Sequence, residues 1–463
     1  MLNCFSENIQ NITKLIPIKP IIQNGFTKWL EQQSEFVKNL VKMNGFSAQS
    51  ASICLISNKN GELDQVLLGM NDQDDFWAFG VLPLSLPCED VYNIDTAEFS
   101  QGQLEKASIA WGLGSYCFVK YKKDINENPK LFISKICNKN HIVNIVSSVC
   151  LVRDLINTPA EDMNPVILAQ AASNIAKKYD AKFKQIVGDD LLQNNFPGVH
   201  VVGRASIHSP RLIEFQWGDV NHPKITLVGK GICFDSGGLD LKPASGMELM
   251  KKDMGGAAHA LGLAQMIMTA KLPINLRVII PIAENLVSGS SYKPGDVVKM
   301  RNGITVEITN TDAEGRVILA DVLTYACEDK PDLLIDFATL TGAARIALGT
   351  ELQAMFTNDC KIGEQIFNSC YEVDDQVWHL PLYAQYKELL DSKIADMKNC
   401  AASSYGGAIT AALFLQEFVA KEIKWIHFDI MGANIKTKPG RPEGGEAMSI
   451  RGLFSYLHEK YNQ

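Results

Sequence analysis

Apolar residues in the second half of the chain fall into two periods. Four stretches are apolar nearly throughout instead of alternating: 224–234 (KITLVGKGICF), 276–284 (LRVIIPIAE), 332–342 (DLLIDFATLTG) and 425–432 (WIHFDIMG). A strand without a polar face has to be covered on both sides, which is the pattern of a parallel sheet between helices. Two helical stretches lie between these strands. Residues 255–270 (GGAAHALGLAQMIMTA) are small on one face and apolar on another, and 315–329 (GRVILADVLTYACED) place Ile318, Val322 and Ala326 on one stripe. Residues 296–310 read as two strands around Asn302-Gly303, a strong hairpin signal. The pattern predicts an α/β fold: a C-terminal domain with a central mixed, mostly parallel sheet between helix layers, the hairpin making the sheet mixed.

The first part of the chain has a different texture. Residues 1–140 carry short strand-like runs (SICLIS, DQVLLGM) and little that suggests chemistry, and they read as a smaller N-terminal α/β domain of unclear role. The basic run KYKKD (120–124) reads as a solvated loop. Residues 141–165 (HIVNIVSSVCLVRDLINTPAEDMNP) read as a connecting helix stopped at Asn157-Thr158-Pro159, followed by a turn. That leaves 166–463 as the large domain, in line with a 463-residue chain being too long for one ordinary domain.

Composition narrows the class. A net charge of −8 puts a nucleic-acid role at a disadvantage. The cysteines are odd in number, eleven, and include no CxxC pair, which predicts reduced thiols in a cytosolic protein and not a disulfide framework or a zinc–thiolate site. The N-terminus has an acidic residue where a signal peptide needs a basic one, and no run approaches the roughly 20 apolar residues that cross a bilayer. The expectation is a soluble, cytoplasmic protein.

The chemistry sits where the buried strands end, as it does in open α/β sheets. Strand 224–229 runs into Lys230, Asp235 and Lys242 (VGKGICFDSGGLDLKP), the hairpin runs into Asp312, Glu314 and Arg316 (NTDAEGR), and Asp253 precedes a glycine-started helix (MKKDMGG). Each has an ordinary reading. Lys230, among apolar neighbours, needs a partner and could form a buried salt bridge. Asp253 could cap the helix, Asp312 a turn, Glu314 suits a helix's first turn, and Arg316 could pair with either neighbour. Four carboxylates converging near two strand ends are harder to explain, because they cannot all stay ionised without cations among them. Lys242 and Arg316 supply part of that charge, and divalent metals such as Mg²⁺, Mn²⁺ or Zn²⁺ would supply more. His259, the nearest histidine, lies inside an apolar helix and reads as packed. Paired metals hold a water as hydroxide and polarise the group it attacks, which predicts hydrolysis without choosing between peptide and phosphate.

These segments resemble the leucyl aminopeptidase family of metallopeptidases, also called M17. The resemblance is carried by NTDAEGR, VGKGICFDSGGLDLKP, MKKDMGGAA and the softer ATLTGA and INTPAEDMNP, spans roughly residues 150–463 in consistent order, and finds no counterpart in the first 140. It implies a peptide-releasing enzyme with two divalent ions per subunit, Zn²⁺, Mn²⁺ or Mg²⁺, ligated by Lys230, Asp235, Asp253, Asp312 and Glu314. It implies that Lys242 polarises the scissile carbonyl and that Arg316 holds a bicarbonate acting as base. Met250, Thr339, Leu340 and Gly342 would face the substrate, and leucine-like first residues would be preferred. Met431 stands where relatives often carry alanine, which predicts a narrower or reshaped pocket. The seven metal and catalytic positions all match the family pattern, which argues against an inactive relative. The resemblance also implies a homohexamer built as a dimer of trimers, acting on peptides; some members of the family bind DNA as a second function, but the charge disfavours nucleic acid here, and the lack of a long apolar run disfavours a membrane. A phosphoesterase is disfavoured by the lack of nearby histidine, a DNA-binding protein by the charge, and a phosphate-loop protein by the absence of GxxxxGK[ST].

Overall fold

The computed structural model describes residues 3–6, 14–95, 99–123 and 127–462. The chain forms two compact units, Met1–Cys150 with Lys436–Glu443, and Leu151–Ile435 with Gly444–Gln463. The division falls inside the single helix Lys139–Asn157, which ends at the stop read from the sequence.

The first unit is built on a six-stranded sheet of β1 (Phe5–Ser6), β2 (Leu15–Ile22), β3 (Ile53–Ser57), β4 (Leu63–Met70), β5 (Val91–Ile94) and β6 (Lys130–Phe132). Their order is β1-β6-β5-β2-β4-β3, parallel except for the edge strand β3 on β4. The runs SICLIS and DQVLLGM form β3 and β4. Helix Gln101–Gly114 starts from a capping box between Ser100 and Gln103. Lys120 to Lys123 are exposed loop, and Asp124 of the same run lies outside the described residues.

The second unit holds a nine-stranded sheet. Its strands are β7 (Lys182–Val187), β8 (Arg211–Trp217), β9 (Lys224–Gly229), β10 (Gly231–Asp235) and β11 (Asn275–Asn285). After the small strands β12 (Val297–Lys299) and β13 (Thr305–Glu307) come β14 (Leu333–Ala338), β15 (Gln353–Thr357), β16 (Val377–His379), β17 (Met397–Lys398) and β18 (Trp425–Asp429). The order is β16-β15-β18-β14-β9-β11-β8-β7, with β10 also on β11. The centre, β18-β14-β9-β11, is parallel, while β15 on β18, β8 on β11 and β7 on β8 are antiparallel. Every residue of β14 is buried, and all but the first of β9, so both faces are covered as the apolar runs require. Helix Gly255–Ala270 and helix Glu314–Glu328 both pack on these strands, with Ile318, Val322 and Ala326 fully buried.

The structure corrects two expectations. The hairpin around Asn302-Gly303 forms, but β12 and β13 belong to a separate three-stranded sheet with β17. The central sheet is mixed because its flanking strands reverse. Residues 224–234 are also not one strand, since they break at Lys230. There the pairing with β14 ends, while β10 continues along β11: Lys230 N–H donates to Phe337 O of β14 at 2.9 Å, and its carbonyl accepts from Ala257 N–H at 2.8 Å. That close approach needs a glycine at 256, where a Cβ would lie 2.7 Å from Lys230 N and run into the Phe337 carbonyl. The break turns the Lys230 side chain into the site.

Candidate metal and active site

Three strand ends and one helix start supply the site: β9 and β10, β14, and the first turn of helix Glu314–Glu328. Lys230 is the hub. Its Nζ lies 2.8 Å from both Asp253 Oδ2 and Glu314 Oε1 and donates to Thr339 O at 3.2 Å. All three charged side chains are essentially without solvent. Burial pulls the Lys230 ammonium down, but Asp253, Glu314 and Asp235 outweigh it and raise the group above its ordinary value. Glu314 goes the other way: burial and the nearby Asp235 hold its carboxyl well above the usual range. Burial would raise Asp253 too, but Lys230 and Lys252 pull it below its ordinary value. Asp253 does not cap the following helix; its Oδ1 accepts from Thr339 Oγ1 at 2.7 Å.

Asp235 closes the other side. Its Oδ1 accepts from Gly237 N–H at 2.9 Å and Asn285 Nδ2 at 2.8 Å, and its Oδ2 lies 2.9 Å from Lys242 Nζ. Burial and the Asp253 charge push Asp235 up to about 6. Lys242 bridges Asp235 to Asp312; burial works against its charge, but these carboxylates keep it raised, so the ammonium stays protonated at neutral pH. Asp312 is the most solvated of the set, with its side chain 33% accessible. Thr311 ties the two loops together, donating its N–H to Asp240 Oδ2 at 2.7 Å and its hydroxyl to Gly237 O at 2.7 Å.

These residues fit a divalent cation of hard or borderline character. Carboxylate oxygens from Asp235, Asp312 and Glu314 lie within 4.8 Å of one another. Asp253 Oδ2 and Glu314 Oε1 are buried and receive no hydrogen bond of acceptable geometry, despite the nearby ammonium. Oxygens so placed are ready for a spherical cation, which imposes no donor direction. His259 is packed: Met448 N–H donates to its Nε2 at 2.9 Å, so Nδ1 carries the proton and donates to Gly255 O at 2.6 Å. Burial lowers this imidazole to about 4.

A cavity of about 450 Å³ opens on this cluster. Its wall includes Lys230, Asp235, Lys242, Met250, Asp253, Asp312, Glu314, Arg316, Thr339, Leu340 and Gly342. Met431 is buried, its N–H bonded to Gln353 Oε1 at 2.9 Å, and it is not among the lining residues. Arg316 donates from Nη1 to Asn399 O at 2.9 Å, while its buried Nε has no partner among the described residues. Burial lowers Arg316 from its ordinary value, leaving a cation that an anion would satisfy.

Sequence reasoning missed the support. Asn399 fixes the NTDAEGR loop, its Oδ1 accepting from Thr309 N–H at 2.8 Å and its Nδ2 donating to Asn310 O at 2.7 Å. Asp429, at the end of β18, accepts the N–H groups of Leu340 at 3.0 Å and Thr341 at 3.1 Å. Lys252 and Arg345 also line the cavity. Lys252 was visible in MKKDMGG, but the 3₁₀ turn Met250–Met254 that points it inward has no periodicity to read. The glycine of NTDAEGR makes room for the hub, because a Cβ on Gly315 would lie 2.5 Å from Lys230 Cε and 2.7 Å from Nζ. Gly315→Ala is therefore expected to displace the Lys230 amine and lower kcat by about 10- to 100-fold, since misplacement by about 1 Å costs up to about 10². An unchanged kcat in a folded variant would refute this.

Comparison with known proteins gives concordant similarities. A family model described as "Cytosol aminopeptidase family, catalytic domain" matches residues 150–454. A second, "M17 aminopeptidase, N-terminal domain", matches residues 16–134, so the first part of the chain does have a family counterpart, contrary to the expectation from its motifs. A probable cytosol aminopeptidase of Roseiflexus castenholzii is 37% identical over 365 residues, covering 75% of this chain and 74% of that protein. One from Prochlorococcus marinus is 38% identical over 392 residues, covering 83% and 79%. Among solved structures, the cytosol aminopeptidase of Coxiella burnetii superposes with a TM-score of 0.95 at 48% identity, covering 99% of this chain and 100% of that one. The bottromycin maturation enzyme BotP in complex with Mn superposes with a TM-score of 0.87 at 30% identity, covering 96% and 99%.

Proposed function

Because this chain belongs to the cytosol aminopeptidase family of metallo-aminopeptidases, we propose that its second unit, residues 166–463 in the main, releases N-terminal amino acids, leucine-like ones among them, from peptides entering the cavity described above. The observation that carries this is the carboxylate cluster of Asp235, Asp312 and Glu314, with Asp253 and Lys230 behind it, on the wall of a cavity that also holds Lys242 and Arg316. Lys230, Asp235, Asp253, Asp312 and Glu314 would hold two divalent ions, Zn²⁺, Mn²⁺ or Mg²⁺, and Arg316 a bicarbonate. When bound, these groups supply an activated water, a polarised carbonyl and a base. The chain's own residues do the rest. Lys242, kept charged by its carboxylate neighbours, stabilises the negative charge that develops on the scissile carbonyl oxygen. The buried Asp235, with Oδ1 held by Asn285 and Gly237, keeps its carboxylate in one orientation. Met250, Thr339, Leu340 and Gly342 surround the first side chain, while Met431, buried off the cavity wall, does not touch it directly.

The reading extends to a cytoplasmic homohexamer acting on peptides and not on nucleic acid. Among the described residues, no helix is long and apolar enough to cross a membrane. The test is hydrolysis of a leucyl amide reporter by the purified chain, before and after chelation, with Mn²⁺ or Zn²⁺ restored. Activity should vanish with the metal and return with it. Activity that survives complete metal removal, or turnover of a phosphate ester in place of the amide, would overturn the reading. Sedimentation of the same preparation as a monomer would remove the hexamer.

A further inference from the structure

We propose that Lys252 and Arg345 form a carboxylate-binding subsite on the wall of the substrate cavity, so that the enzyme takes peptides presenting a carboxylate there in addition to leucine-like ones. The proposal rests on the aminopeptidase reading and names a substrate class for it. Both residues line the same cavity as the metal-ligand candidates. Lys252 is 4% exposed, and Arg345 Nη1 is buried without a hydrogen-bond partner. Among the described residues, neither side chain makes a hydrogen bond or ion pair.

The acidic groups that act on Lys252 are already committed. Asp253 is ion-paired with Lys230, whose Nζ lies 2.8 Å from Oδ2, and accepts from Thr339 Oγ1 on Oδ1 at 2.7 Å. Asp429 receives the Leu340 and Thr341 N–H groups and the Thr341 hydroxyl at 2.6 Å. Two nearby cations, one of them almost fully desolvated, therefore share a wall, and the carboxylates that act on Lys252 are bonded elsewhere. That is costly unless something negative arrives from the cavity. The pairing suits a carboxylate: a guanidinium offers a planar fork and an ammonium a point charge.

Their position says what the carboxylate belongs to. Lys252 is two residues beyond Met250 on the same 3₁₀ turn, and Arg345 folds back towards Gly342, where a Cβ would lie 3.8 Å from Arg345 Nη2. Met250 and Gly342 flank the position of the first side chain. The carboxylate is thus either that of an aspartate or glutamate side chain at the first position, or the free C-terminus of a short peptide.

The experiment measures kcat/KM of the metal-loaded enzyme for glutamyl and leucyl amide reporters, and for leucyl-glycine against leucyl-glycinamide. It is repeated with Lys252→Met, Arg345→Met and Lys252→Arg. In the side-chain case the glutamyl-to-leucyl ratio falls by about 10- to 100-fold in either methionine variant, the range for losing a hydrogen bond to a charged group. In the C-terminal case the acid-to-amide ratio falls instead by a similar factor. In both cases Lys252→Arg restores most of the ratio, which a merely structural role would not do. If neither ratio changes in either methionine variant, the cations only offset the charge of the metal cluster and the proposal is wrong. If the wild-type enzyme turns over no aminoacyl substrate with metal supplied, the aminopeptidase reading itself falls and takes the subsite with it.

Discussion

Glu314→Gln is expected to lower aminopeptidase turnover by about a thousandfold, the upper end for losing one preorganised electrostatic group, without destabilising the metal-free fold. Two opposing demands on one residue produce this split. Glu314 contributes an oxygen to the cluster with Asp235 and Asp312, all within 4.8 Å. As part of a folded chain, however, it is a liability: 1% exposed, close to Asp235 and Asp253, with its carboxyl held well above the ordinary range. Its ion-pair partner, Lys230, is shared with Asp253. Replacing the carboxylate by an amide removes a desolvated charge and two repulsions, and forfeits half of Lys230's pairing. Carboxylates crowded in this way are placed for a ligand at the expense of stability. Turnover of a leucyl amide, bound metal by elemental analysis, and the melting midpoint after chelation test the prediction together. Retained turnover with a full metal complement would show that Glu314 is no ligand. A large drop in the chelated midpoint would show that it is there to hold the fold.

The sequence revealed this site because its residues violate local expectation. Lys230 among Leu227, Val228 and Ile232, and Asp312 and Glu314 leading straight into an apolar helix, are charges set against buried sequence, and such conflicts mark function. The ligand-bearing stretches are also short and contiguous, so spacing alone keeps them recognisable. The central strands were legible for a related reason: β9, β14 and β18 are buried on both faces and need apolar residues throughout. What the sequence hid was set by tertiary partners. The break at Lys230 depends on Phe337 and Ala257, which are remote in the chain. The hairpin signal at Asn302-Gly303 is local and correct, but nothing local says which sheet the hairpin joins; β17, some ninety residues on, decides that. Asn399 and Asp429 are polar residues in unremarkable surroundings, and only the backbone groups they receive reveal what they hold in place. Lys252 and Arg345 carry no sequence signal of their own, and only the cavity brings them together.

Arg153→Met is expected to destabilise the second unit by about 3–5 kcal/mol, the range for removing one partner of a buried ion pair. Arg153 is fully buried, and its Nε and Nη2 each donate to a different oxygen of Glu446 at 2.9 Å. The loop that holds Glu446 follows β18: Glu446 N–H donates to Gly432 O at 3.0 Å, and Asn434 Nδ2 donates to Glu446 Oε2 at 2.7 Å. The same helix ends at Asn157, whose Oδ1 accepts from Gly445 N–H at 2.7 Å and whose carbonyl accepts from Lys251 Nζ at 2.7 Å. Lys251 adjoins Lys252 and Asp253, so the Arg153 pair braces the turn that carries a metal-ligand candidate. Methionine would fill most of the arginine's volume but leave Glu446 buried with its main cation gone. Denaturant midpoints of the single variants and of Arg153→Met with Glu446→Gln separate the two contributions. The double variant should recover more than half the loss, because the uncompensated charge goes with the second substitution. If Arg153→Met costs less than about 1 kcal/mol, the typical net worth of a single hydrogen bond, the pair does not hold this helix to the catalytic unit.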